Sequence, residues 1–95
     1  MTDRVALIEA RLRVALAPER LEIADDSAGH AGHAGAREGG HFTVRIVSPA
    51  FTGKTLIERH RLVHAAVVDL MRREIHALSI EARTPDETLS STPGN

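Results

Sequence analysis

Between His41 and Ser48 the chain alternates: Phe42, Val44 and Ile46 point one way, and Thr43, Arg45 and Val47 the other. A period of two marks a β-strand with one buried face. Such a strand needs neighbours to pair with and a second layer to cover it. Residues 21–25, Leu21-Glu22-Ile23-Ala24-Asp25, alternate in the same way. So do residues 75–83, where Leu78, Ile80 and Ala82 alternate with Ser79, Glu81 and Arg83. Three strands with one apolar face each call for helices on that face and solvent on the other.

Helical spacing supplies the covering layer. Over residues 3–17, Val5, Ile8, Leu12 and Ala15 recur at helical intervals, and Leu16 widens the stripe. Thr2 or Asp3 suits the cap at its start. Pro18 ends the helix, because proline disfavours the α conformation in the preceding residue. Residues 56–73 carry a second stripe of Ile57, His60, Val63, His64, Val67, Leu70 and Met71, with room for a break near His60. Pro49 stops the middle strand, and residues 50–54 read as a turn. The expected fold is a two-layer α+β domain over residues 1–84, with helices on one face of a three-stranded sheet. Residues 85–95 are polar and hold two prolines, so they read as a frayed tail.

Composition removes several functions. At 95 residues there is one thin core and little room for a deep catalytic pocket. The only aromatic side chains of the Phe, Tyr or Trp type are Phe42 and Phe51, too few for a surface that stacks single-stranded nucleic acid. The formal net charge of −1 makes no strong attractor for nucleic acid or anionic membrane. There is no cysteine, which excludes disulfides and thiolate catalysis. No apolar run reaches the ~20 residues of a membrane span, and the cytoplasm is the expected location. Gly53-Lys54-Thr55 imitates the end of a phosphate loop, but Ser48 stands where its first glycine belongs. No nucleophile elbow frames a serine. These residues describe a binding domain, not an enzyme.

Histidine is the unusual component, with six in the chain. His30 and His33 lie in the stretch 26–40, which has five glycines and no large apolar residue. It reads as a long mobile loop joining the first two strands. Neutral imidazole is the commonest protein metal ligand, but the spacing of His30 and His33 specifies no metal. His76 opens the last strand, where parity groups it with Leu78 and Ile80. It reads either as a half-buried residue bonding a carbonyl or as a ligand on a rigid strand. His60 reads as structural and His64 as a packing residue. The two bare GxxG matches at residues 29–35 sit between strands, not in the turn between helices that clamps nucleic acid.

Several segments together resemble the BolA family. They are Leu21-Glu22-Ile23-Ala24-Asp25-Asp26-Ser27 followed by His30, His41-Phe42-Thr43-Val44, Val47-Ser48 with Phe51-Thr52-Gly53, Arg59-His60-Arg61-Leu62-Val63, and Ile75-His76-Ala77-Leu78. Their order and spacing cover about residues 4–85. The resemblance implies a fold similar to class II KH domains, in the order αββααβ. It also implies a cytosolic monothiol glutaredoxin as partner, with a [2Fe–2S] cluster held between the two chains. The glutaredoxin's cysteine and bound glutathione supply two ligands. This chain supplies His76 and a loop residue, for which His30 is the best match and His33 the alternative. The resemblance thus implies an accessory role in iron–sulfur cluster assembly and iron homeostasis.

The resemblance leaves two other functions open. One is a DNA-binding transcriptional regulator, with Lys54, Arg59, Arg61, Arg72 and Arg73 as phosphate contacts. The other is an adaptor whose complex with glutaredoxin matters without a cluster. A second copy of the chain is a further partner to consider.

Overall fold

The computed structural model describes residues 3–26 and 40–90. Their order is α1 (Arg4–Leu16), β1 (Arg20–Asp25), β2 (Gly40–Val47), α2 (Leu56–Ala66), β3 (Ile75–Arg83) and α3 (Pro85–Ser90). Short 3-10 turns lie at Pro49–Phe51 and Val68–Leu70. The α+β class and the three-stranded sheet are as expected. The sheet order is β1-β2-β3, with β2 antiparallel to β1 and parallel to β3. A parallel pair needs a crossover, and the α2 segment provides it.

Each helix end has a chemical cause. The Asp3 carboxylate accepts from the Ala6 amide at 3.2 Å and caps α1. At the other end Ala17 turns left-handed at φ 44°, which frees the chain for Pro18. The core stripe of α1 is Ile8, Leu12 and Leu16, all buried. Ala15, placed on that stripe by spacing, is exposed, because Leu16 occupies the inner position. The Ser48 hydroxyl, fully buried, donates to the Leu16 carbonyl at 2.6 Å and accepts from the Ala50 amide at 3.0 Å. One side chain thus satisfies an orphan carbonyl of α1 and starts the next turn.

The helix α2 begins with a reciprocal cap. Thr55 Oγ1 accepts from the Glu58 amide at 3.2 Å, and Glu58 Oε1 accepts from the Thr55 amide at 2.9 Å. Gly53 permits the preceding turn at φ 76°. The helix stops at Val67, not near His60, and a 3-10 turn replaces the rest of the expected helix. The buried stripe is also different. Val63, Val67 and Leu70 are in the core, but Ile57 is 64% exposed and Arg59 is buried in its stead.

Arg59 explains that exchange. Its guanidinium donates to the Lys54 carbonyl at 3.0 Å, the Ala82 carbonyl at 3.1 Å, and both carboxylate oxygens of Glu87 at 2.6 and 2.8 Å. A buried cation with this many acceptors is hydrogen-bonded as well as paired. Glu87 belongs to α3, which forms where a frayed tail was expected from residue 85. Thr84 Oγ1 accepts from the Glu87 amide, the Glu87 carboxylate accepts from the Thr84 amide, and Pro85 takes the first helical position.

The core joins both helices to one sheet face. Phe42, Val44 and Ile46 of β2 meet Ile8 and Leu12 of α1 and Val63 of α2 in one cluster, with Phe51 and Ile75 fully enclosed. The other sheet face carries Glu22, Arg45, Glu81 and Arg83 in exposed ion pairs.

Two outcomes follow from this packing. Phe51→Ala should lower stability by about 3–5 kcal/mol, a large part of the roughly 5–14 kcal/mol expected for a chain of this length. The urea midpoint should fall at unchanged slope. The second concerns Glu87, whose carboxyl is held down at about 2 by the Arg59 guanidinium first and the Thr84 amide second. Its ordinary value is 4.5. Its contribution is therefore full above about pH 4.5 and is lost as pH falls towards about 2. Urea midpoints compared at about pH 6 and about pH 3 should drop further for the native chain than for Glu87→Gln.

Candidate functional site

The sheet register decides where the histidines stand. Gly40 pairs with Ile75, and the next residue, His41, pairs with Ala77. His76 is the extra residue of a β-bulge. Phe42 then pairs with Leu78, Val44 with Ile80 and Ile46 with Ala82. Gly40 and Phe42 are two apart on β2, so they share a face, and so do their partners Ile75 and Leu78. Those partners are three apart. The bulge lets both enter the core side although strict alternation would put them on opposite faces.

Parity from the sequence placed His76 with Leu78 and Ile80. The bulge overturns that placement. His76 is exposed, and its ring stacks on that of His41, with centroids 5.2 Å apart and planes inclined at 30°. His41 is half-buried and lies on the sheet face opposite Phe42. Sequence reasoning missed it as a site residue. Its position in a matching segment was visible, but only the register brings residues 35 apart into ring contact.

Asp25 pairs with Phe42 at the end of β1, and Gly40 opens β2. His30 and His33 fall between these anchors in sequence and lie outside the described residues. The anchors themselves are at the sheet end that carries His41 and His76. Asp26 is tied there, accepting from the Thr43 hydroxyl at 2.7 Å. Among the described residues no three His, Asp or Glu side chains gather to hold a metal. His41 and His76 bring two imidazoles to one end of the sheet, short of a closed coordination shell.

The remaining histidines are elsewhere. His60 is half-buried within α2, beside Leu56 and Ile80 in a groove of about 530 Å³. His64, read from its spacing as a packing residue, is exposed, because Val63 and Val67 fill the inner side of the helix. Of the five cations of the nucleic-acid reading, Lys54, Arg61, Arg72 and Arg73 are exposed. Arg59 is not available to phosphate, since its donors are taken by Glu87 and two carbonyls. The expected role of Arg59 is corrected to a structural one.

The fold and this sheet end define a small α+β domain that presents imidazole from a strand bulge. Residues 12–87 match the family model for BolA-like proteins, and the chain belongs to the BolA family. It is 46% identical over 80 residues to mouse BolA-like protein 1, covering 84% of this chain and 57% of that protein. It is 45% identical over 86 residues to the SufE-like protein 1, chloroplastic/mitochondrial, of Arabidopsis thaliana, covering 84% of this chain and 23% of that protein. The chain thus spans little more than half of the mouse relative and a smaller part of the plant one. The solved BolA domain of SufE1 from Arabidopsis superposes with a TM-score of 0.79 at 46% identity, over 92% of this chain and 98% of that domain.

No helix among the described residues is long and apolar enough to cross a membrane. The plant relative's name places it in chloroplasts or mitochondria, so the relatives do not carry the cytoplasmic expectation.

Because the His76 side chain is exposed, His76→Ala should change stability by no more than about 0.5–1 kcal/mol. Chemical denaturation of the two chains side by side checks this. A larger loss would make His76 a structural residue and remove it from the site.

Proposed function

We propose that the chain is an accessory protein of iron–sulfur cluster assembly and trafficking, without catalysis of its own. It docks on a monothiol glutaredoxin and contributes two imidazoles to a shared [2Fe–2S] cluster. One is His76. The other is His30, with His33 as the alternative. The glutaredoxin's cysteine and glutathione supply the thiolates.

The observation that carries this reading is the bulge that turns His76 out of the core. The same bulge that seats Ile75 in the core leaves the His76 ring outside, stacked on His41 and open to a partner. Imidazole nitrogen suits iron, and a chain without cysteine has no thiolate to offer it. The residues therefore fit the group from this side of the interface. Bound between imidazole and thiolate, such a cluster supplies a reduction potential above that of all-thiolate ligation. This chain's part is to present imidazole nitrogen from a strand bulge. Neutral imidazole is required for ligation, so acid weakens the hold.

Visible circular dichroism of the chain with a monothiol glutaredoxin, glutathione, iron and sulfide tests this. The expected result is a spectrum distinct from that of the glutaredoxin's own clustered dimer. It should be lost with His76→Ala and kept with His60→Ala and His64→Ala. A His76→Ala spectrum equal to that of the native mixture would reject the assignment.

A further inference from the structure

The bulge that turns His76 outward also deprives it of support. An ordinary strand residue faces a cross-strand partner that limits its rotamers. In the register between β2 and β3 no residue of β2 is left opposite His76, since Gly40 takes Ile75 and His41 takes Ala77. An exposed side chain in that position would sample several rotamers.

His41 supplies the missing neighbour. It stands on the central strand, paired with Ala77 of β3 and one residue beyond the last β1 pairing, Asp25 with Phe42. Its ring lies against that of His76 at 5.2 Å between centroids, within the range of paired rings. It is half-buried where His76 is exposed, so it is the more restrained of the two. A ligand is only as well oriented as the groups that lock its rotamer.

We propose that His41 is a positioning residue that holds the His76 imidazole in one outward rotamer before any partner docks. This deepens the cluster reading, but its first test does not need a cluster. Three-bond couplings of labelled His76 in the isolated chain report its rotamer by nuclear magnetic resonance. The native chain should show a single χ1 state, with ring-to-ring contacts between residues 41 and 76. His41→Phe keeps a flat ring and removes both nitrogens, so it should keep that state. His41→Ala should give averaged couplings, with backbone amide shifts elsewhere unchanged.

The second readout is the mixed cluster with glutaredoxin. His41→Ala should weaken it on the order of 10-fold, the usual loss when a ligand's support is removed, and His41→Phe should restore it. Unaltered His76 couplings in His41→Ala would overturn the proposal. So would a His41→Phe chain with an ordered His76 that forms no cluster, since His41 would then act through its own nitrogen. If no mixed cluster forms even with the native chain, the proposed function fails, and the couplings alone still decide the role of His41.

Discussion

The middle strand β2 buries one face and leaves the other open, and both neighbours must match it. Phe42, Val44 and Ile46 point into the core. Every pairing on either side therefore has to bring apolar residues to the same face: Leu21 and Ile23 from β1, and Leu78, Ile80 and Ala82 from β3. A slip of one residue would exchange core for solvent along a whole strand. The only register shift in the described pairing is the bulge beside Gly40 and His41. It occurs where Ile75 must also enter the core, and the residue left over is His76. The exposure of His76 and the closure of the core are two results of one packing requirement.

A second tie joins the parts that the sheet does not reach. Arg59 links the turn before α2, the end of β3 and α3 through one guanidinium. Its partner Glu87 is also half of the cap that starts α3. The ion pair and the cap share atoms, so the last helix and the helix-to-strand junction are coupled. Ser48 plays a comparable part at the same end of the sheet. Its hydroxyl ties the last carbonyl of α1, and its amide donates to the Arg83 carbonyl at 2.9 Å. Both contacts lie at the opposite end of the sheet from His41 and His76. The structural ties and the histidine-bearing end are thereby kept apart. Substitutions at the histidines can be read for function without loss of the fold's anchors.

Two features legible in the sequence went unread in it. Thr55-Leu56-Ile57-Glu58 and Thr84-Pro85-Asp86-Glu87 both have the spacing of a reciprocal cap, and the second carries proline at the first helical position. Read for caps and not only for polarity, residues 84–87 announce a helix instead of a tail. Arg59 is different. Nothing in Arg59-His60-Arg61 separates a buried arginine from a solvated one, because its partners come from residues 54, 82 and 87. Local pattern cannot show that an exposed-looking cation has a carboxylate waiting in a later element.

By itself the sequence determined the three strands and the first helix, the start of the second, the face of β1 and β2 that is buried, the stop at Pro18 and the imidazole character of the chain. Each rests on periodicity or on the covalent properties of a residue, which act over a few positions. The family was also legible, from segments kept in order along the chain. The tertiary structure alone decided the end of α2 at Val67, the burial of Arg59 in place of Ile57, and the meeting of His41 with His76. All three depend on register or on contacts between distant segments. A strand's parity is a local rule, but where that parity breaks is set by the neighbour it must fit.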